Sequence, residues 1–173
     1  AYEARRKFPD RRIFLTHEII HNPRVNQRLR DMGILFLSGS LAETSIGFDN
    51  IETEDVVIIP AFGVSAEELA LLKSKGCILV DTTCGSVIHV WKRVERYTRE
   101  GFTSLIHGKY AHEETVATKS RALAHGGHYL VVRDLEEADL VCDVIRGEKP
   151  PESLDSLATK AASPGFDPRR DLQ

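Results

Sequence analysis

Two unbroken apolar runs constrain the fold more than any other feature of this sequence. DVVIIP (55–60) and CILVDTT (77–83) carry apolar side chains at successive positions, whereas a strand with one solvated face alternates apolar and polar residues. Such runs are typical of parallel strands that helices cover on both faces. Further strands are predicted at four shorter runs: 11–20, 34–37, 104–109 and 128–134.

Helical patterns separate these strands. Asn22 can cap a helix and Pro23 suits its first turn, while the helix is expected to end at Gly33. The chain opens with AYEARRKF, which has helical spacing but no start signal, so we expect it to begin inside a helix. Further helices are predicted in four segments: 66–76, 87–101, 114–127 and 136–147. This order of strands and helices indicates an α/β fold with right-handed crossovers.

The strand–helix rhythm restarts near residues 63–66. We therefore predict two small three-layer α/β lobes with parallel sheets, over residues 1–64 and 65–147, the first truncated at its N-terminus; a single sheet is the alternative. Residues 148–173 hold most of the prolines and no buried strand. This composition predicts a linker that contains one short helix over residues 153–162.

Composition excludes several classes of function. The 173 residues carry a net charge of −3 with the two signs interleaved, so no nucleic-acid partner is expected. No apolar run approaches the roughly 20 residues that span a bilayer, and the first residues lack a signal-peptide core. We expect no membrane partner and a location in the cytosol or an organelle's soluble phase. Three widely spaced cysteines argue against a disulfide framework.

Cys84 stands where an apolar strand ends and a helix begins. Ligands of parallel sheets bind beyond the carboxyl ends of strands, and a helix N-terminus lowers the pKa of a thiol. Cys84 is therefore a candidate nucleophile or metal ligand, with a buried apolar residue as the alternative. Cys77 begins a strand and Cys142 lies on the apolar side of a predicted helix, so both are expected to pack in the core.

The segment HGKYAHEET (107–115) places two histidines, a lysine and two glutamates after another strand. Lysine and imidazole groups can bind an anion while a carboxyl group relays protons. The alternative is a solvated loop and a helix start with favourable acids. A zinc site is disfavoured because His107 and His112 lack a clear third ligand. His21 precedes a helix start and could contact a phosphate, or could simply be a surface or capping residue.

Four ordered motifs resemble the LytB family of 4-hydroxy-3-methylbut-2-enyl diphosphate reductases, in its plant and cyanobacterial branch. They are EIIHNPRVNQRL (18–29), VVIIPAFGVS (56–65), ILVDTTC (78–84) and IHGKYAHEETVAT (106–118). The resemblance implies reductive removal of a hydroxyl group from an allylic diphosphate in non-mevalonate isoprenoid biosynthesis. It further implies a three-lobed α/β fold with a 4Fe–4S cluster held by three cysteines. Ferredoxin or flavodoxin would donate electrons, in a bacterial cytoplasm or plastid stroma.

The resemblance also implies roles for individual residues. Cys84 matches a cluster cysteine, His21 and His112 match histidines that bind the substrate diphosphate, and Glu114 matches the acid that supplies protons. Phe62 replaces a further family histidine, so no diphosphate contact is assigned there.

This chain also departs from the family pattern at the residues after the cluster cysteine and in its set of cysteines. Gly85 and Ser86 stand where the family commonly has proline and a bulky residue, and Cys77 and Cys142 match neither of the other cluster cysteines. The expectation is thus a central fragment of the reductase, holding one of three cluster ligands and inactive alone.

Two other hypotheses stay open. A non-catalytic α/β module could bind a phosphorylated small ligand through His21 and residues 107–114. The third hypothesis is an enzyme that uses a cysteine nucleophile, and Cys84 is the one residue that supports it.

Overall fold

Parallel strands and helices alternate along the chain, which confirms the α/β class predicted from the apolar runs. The computed structural model describes residues 1–39, 41–42 and 46–172. The chain divides into two units, Ala1–Ile88 and His89–Gln173.

The first unit contains a four-stranded sheet of order β2-β1-β3-β4, with all neighbouring strands parallel. Its elements in chain order are α1 (Tyr2–Lys7), β1 (Ile13–Leu15), α2 (Pro23–Asp31), β2 (Ile34–Phe36), β3 (Val56–Ile59), α3 (Ala66–Lys75) and β4 (Ile78–Asp81). A 3₁₀ turn, Phe48–Asn50, precedes β3. The next helix, α4 (Gly85–Arg99), contains the division between the units.

Helices cover both faces of this sheet, so its central strands are buried on both sides. One apolar cluster joins one face of β1 and β3 to α1 and α2, and includes Ile13, Leu15, Leu29, Val56 and Ile58. A second cluster joins the other face to α3, and includes Phe14, Val57 and Leu72. This three-layer packing explains the absence of polar alternation in the strand sequences.

The helix ends follow local capping rules. The Asn22 side chain accepts hydrogen bonds from the backbone N–H groups of Arg24 and Val25, at 3.1 and 3.3 Å, as predicted for the start of α2. Ser65 and Glu68 form a capping box at the start of α3. Gly76 ends α3 in the left-handed conformation, with φ of 68°.

Besides most of α4, the described part of the second unit contains two parallel strands and four further helices. These elements are β5 (Ser104–His107), α5 (Glu113–Ala124), β6 (Tyr129–Val132), α6 (Leu135–Ile145), a 3₁₀ turn (Pro151–Leu154), α7 (Asp155–Ala161) and α8 (Pro168–Asp171). Every residue of β6 is buried. One apolar cluster joins it to the helices, and includes Val94, Ala122, Val141, Leu154 and Leu157.

The unit boundary differs from the one that the strand–helix rhythm predicts near residue 64. The strand β4, assigned from sequence to the second lobe, pairs in parallel with β3, for example Val56 with Ile78. This pairing places residues 65–88 in the first unit. The apolar pattern of a sequence identifies a strand but does not identify the strand with which it pairs. The boundary between the units depends on the pairing of β3 with β4, so the sequence pattern could not locate it.

Residues 148–172, for which the sequence predicts a linker, fold onto β6. Leu154 and Leu157 are buried in the core of the second unit. The Ser163 N–H donates to the Tyr129 carbonyl at 3.0 Å, so this segment covers the outer edge of β6. Residues 40 and 43–45, which lie between the predicted strands 34–37 and 55–60, and residue 173 of the predicted linker are outside the described residues.

Cys77 and Cys142, the two cysteines for which core packing is predicted, differ in their exposure to solvent. Cys77 is half-buried and its thiol donates to the Leu72 carbonyl at 3.5 Å, while burial raises its pKa. Cys142 is exposed, so the expectation that it packs in the core is wrong. Val141 and Val144 supply the buried face of α6, and the intervening position of Cys142 turns its side chain toward solvent.

Within the described parts of the chain, we find no helix that combines the length and the apolar character needed to cross a bilayer.

Gly127 lies against α4, and this contact gives a test of the second unit's packing. A Cβ atom on Gly127 would lie 2.3 Å from Cγ2 of the buried Thr98. Thr98 is β-branched and cannot easily turn away. We expect Gly127→Ala to lower the free energy of unfolding by about 1–3 kcal/mol in urea titrations. The same substitution should cost less in a Thr98→Ala background; equal costs in both backgrounds would contradict the contact.

Candidate functional site

Parallel pairing brings the loops that follow the strands of the first unit to one edge of the sheet. These loops begin at Thr16 after β1, at Pro60 after β3 and at Thr82 after β4. Crevices at this edge are where ligands of open α/β sheets bind. Two of the four predicted site residues, His21 and Cys84, belong to these segments.

Cys84 is exposed at the junction of β4 and α4. Its N–H donates to the Ala61 carbonyl at 2.9 Å, and its carbonyl accepts the Ile88 N–H at 3.0 Å. Its own carbonyl thus begins the hydrogen-bond ladder of α4, and its side chain lies at the positive end of the helix dipole. That position stabilises a thiolate. The space at the adjacent Gly85 would accept a Cβ atom without a steric clash.

His21 contacts the loop after β3, and the backbone of Cys84 binds to the same loop. Its exposed imidazole stacks on Phe62, with ring centroids 4.6 Å apart and an interplanar angle of 25°. Ala61, the neighbour of Phe62, accepts the backbone hydrogen bond from Cys84. The first unit therefore brings both residues to residues 61–62, and the stacking contact restricts the orientation of the imidazole.

His17 and Glu68 form a polar pair beside these residues that the sequence analysis did not identify. The Ser38 hydroxyl donates to the Thr16 carbonyl at 2.7 Å and contacts His17 Nδ1, so it accepts a hydrogen bond from that nitrogen. His17 Nε2 lies 3.6 Å from Glu68 Oε1. The nearby His17 side chain lowers the pKa of Glu68, and the Ser65 N–H acts in the same direction against the effect of burial. The S-x-x-E pattern at 65–68 is the sequence signal of a capping box, but it carries no signal for the histidine partner.

The other two predicted site residues line one open cavity in the second unit. The cavity has a volume of about 920 Å³. Its polar lining includes His107, Lys109, His112 and Glu114. Its apolar lining includes Val90, Tyr97, Phe102 and Leu105. Mixed linings of this kind suit a ligand with an apolar body and a charged end.

His112 has a structural role as well as its place in the cavity. It caps α5, because its Nδ1 accepts the Glu114 N–H at 3.3 Å. With Nδ1 as the acceptor, the proton of the neutral imidazole is on Nε2. Nε2 is then the nitrogen that can donate to an anionic ligand.

Glu114 lies in the first turn of α5, where it is half-buried and lines the cavity beside His112. Lys109 is exposed at the cavity wall. A carboxyl group that lines a cavity together with imidazole and ammonium groups can exchange a proton with a bound ligand, while the ammonium group compensates the ligand's charge. These are the types of side chain that anion binding with acid–base chemistry requires.

Cys77 lies at the opposite end of β4 from Cys84, because it precedes the strand that Cys84 follows. Among the described residues of the first unit, Cys84 is the one cysteine at the carboxyl edge of the sheet. The described part of this unit thus offers a single thiol group at that edge.

Comparison with known proteins gives consistent matches. Residues 1–156 match the family model described as LytB protein. A 4-hydroxy-3-methylbut-2-enyl diphosphate reductase of Synechococcus sp. (strain CC9311) is 53% identical over the whole chain, and one of Gloeothece citriformis (strain PCC 7424) is 50% identical. The chain spans 42% of the length of both relatives.

Two solved structures are also similar. An (E)-4-hydroxy-3-methyl-but-2-enyl diphosphate reductase, described as the terminal enzyme of the non-mevalonate pathway, matches 91% of this chain and 55% of its own. That match has a TM-score of 0.64 and 26% identity. The corresponding reductase of Plasmodium falciparum matches 79% of this chain and 40% of its own, with a TM-score of 0.65 and 25% identity.

The His17–Glu68 pair predicts a pH-dependent contribution to stability. Since the folded protein lowers the pKa of Glu68, the contribution is present above the usual glutamate value of 4.5 and is lost as the pH falls below it. We expect Glu68→Gln to reduce stability at neutral pH and to flatten its decline in acid. Urea titrations at several pH values measure this, with the exposed neighbour Glu67→Gln as the control. Identical acid profiles for Glu68→Gln and the unsubstituted protein would refute the pairing.

Proposed function

This chain belongs to the LytB protein family, and we propose that it forms part of a reductase acting on 4-hydroxy-3-methylbut-2-enyl diphosphate. The reaction is the reductive removal of the allylic hydroxyl group, giving isopentenyl and dimethylallyl diphosphates. Two electrons and two protons are consumed, the carbon–oxygen bond breaks, and the hydroxyl group leaves as water. Ferredoxin or flavodoxin supplies the electrons.

The observation that carries the proposal is the position of Cys84. An exposed thiol at a strand end, on the first residue of a helix hydrogen-bond ladder, has the surroundings that favour a deprotonated cluster ligand. Cys84 thus fits one thiolate ligand of a 4Fe–4S cluster, whose chemistry is electron transfer to the substrate. The other ligands come from parts of the longer protein, because Cys77 is half-buried at the far end of β4.

His21 and His112 are the proposed contacts to the substrate diphosphate. Stacking on Phe62 restrains the His21 ring, and capping of α5 leaves His112 Nε2 as a hydrogen-bond donor. Both features support donation to phosphate oxygens, which are strong acceptors. Lys109, which lines the same cavity as His112, adds positive charge for an anion bound there.

Glu114 is the proposed proton donor. A hydroxyl group leaves readily only when it is protonated, and a carboxyl group beside the bound diphosphate can provide that proton at neutral pH. Its half-buried position in the first turn of α5, on the lining of the cavity that also contains His112, supports this role.

Cysteine substitution in the full-length protein tests the cluster assignment. After anaerobic reconstitution, we expect Cys84→Ser to lose most of the bound iron, sulfide and visible cluster absorbance, since one ligand of the cluster is removed. Cys142→Ser is the matched control, because that cysteine is also exposed but lies on α6. Full cluster content in Cys84→Ser would refute the role of Cys84.

Two substitutions at one position test the diphosphate contact. His112→Asn removes the imidazole but keeps a good helix cap, whereas His112→Ala removes both. We expect His112→Asn to raise KM for the substrate about 10-fold or more, as for loss of a hydrogen bond to a charged group. Only the alanine variant should also lose thermal stability. A KM unchanged in His112→Asn would mean that the residue serves α5 and not the substrate.

A further inference from the structure

The loop that carries the proposed substrate residues of the second unit, Gly108–His112, is held at several points. The Gly108 N–H donates to the Val132 carbonyl at the end of β6, at 2.9 Å, and the Lys119 ammonium group lies 3.5 Å from the Tyr110 carbonyl. A Cβ on Gly108 would lie 2.6 Å from Thr115 Oγ1, so the loop backbone passes directly against α5. These contacts fix the first residue of the loop and one backbone group at its centre.

The side chain of Tyr110 fixes the centre of this loop to a different helix. Its hydroxyl group donates to Glu137 in the first turn of α6, and its ring packs against the core of the second unit. The Lys160 ammonium group lies over the ring, 4.4 Å from its centroid. Tyr110 therefore connects the loop with α6 and α7.

Glu137 is itself held in place by three groups. Its carboxylate accepts the Arg133 N–H at 2.7 Å and lies 3.6 Å from Lys160 Nζ. Its own N–H donates to Asp134, the capping residue of α6, at 3.0 Å. Burial acts to raise the pKa of Glu137, but the hydrogen bonds from Tyr110 and Arg133 and the charge of Lys160 outweigh it and lower the pKa. Glu137 is thus a fixed carboxylate, and the Tyr110 hydroxyl group is its donor.

We propose that Tyr110 is a positioning residue, which holds the Gly108–His112 loop on α6 and thereby sets the places of His112 and Glu114 in the cavity. This proposal rests on the function proposed above for those two residues. Only Ala111 separates Tyr110 from His112, so a shift of the tyrosine moves the helix cap and the first turn of α5 with it. Neither Tyr110 nor Glu137 needs to touch the substrate for this effect.

Removal of a single hydroxyl group tests the proposal in the full-length, cluster-loaded enzyme. Tyr110→Phe keeps the ring beneath Lys160 and removes the hydroxyl group that binds Glu137 and contacts Lys160. We expect kcat to fall roughly 10- to 100-fold, as for a displacement of about 1 Å at the reacting groups, and KM to rise in the same variant. Cluster absorbance should stay unchanged. Tyr129→Phe is the matched control, since it removes one hydroxyl group from a buried strand of the same unit outside the cavity lining.

The split between kcat and KM separates positioning from simple destabilisation. Loss of folded enzyme lowers the apparent kcat but leaves KM unchanged, so a lower Tm with an unaltered KM would overturn the proposal. Wild-type values of both constants would overturn it as well. Glu137→Gln should reproduce the kinetic defect, and the double variant should be no worse than Tyr110→Phe alone, because both act through one contact. Additive losses would mean independent roles.

The His112→Asn variant distinguishes this proposal from the function on which it rests. An increased KM in His112→Asn with normal kinetics in Tyr110→Phe would overturn only the positioning role. A normal KM in His112→Asn would instead remove the substrate contact that Tyr110 is proposed to position.

Discussion

Parallel pairing of β3 with both β1 and β4 is the constraint on which the first unit depends. Val56 lies beside Ile13 on one side and Ile78 on the other, and helices bury both faces of the strand. Parallel neighbours cannot be joined by a tight turn, so the chain must cross over the sheet between them. The same pairing directs every strand end to one edge. The meeting of His21 and Cys84 at residues 61–62 follows from this geometry.

The second unit uses the same arrangement with fewer strands. Between β5 and α5 the chain passes through Gly108–His112, and His112 both caps the helix and lines the cavity. A helix cap fixes side-chain orientation through a backbone hydrogen bond, so a residue with this double role is placed accurately without further support from the ligand. The hydrogen bond from Tyr110 to Glu137 restrains the Gly108–His112 loop in the same way.

Much of this organisation follows from local sequence. Unbroken apolar runs identified β3 and β4, and Asn22 with Pro23 identified the start of α2, because burial pattern and capping act within a few residues. Cys84 and residues 107–115 were identified as candidate site residues because each follows a predicted strand directly in the sequence. Cys142 was misjudged, since one step around a helix changes a residue from buried to exposed.

The sequence by itself determined strands β1 to β6, helices α1 to α7, and which chemical groups follow each strand. Tertiary structure decided that β4 joins the sheet of β3, that residues 148–172 cover β6, and that Tyr110 binds a carboxylate 27 residues away. The physical reason is the range of the interactions. Capping and burial periodicity act between neighbours in the chain, whereas strand partners and side-chain contacts between helices are fixed only when distant segments pack together.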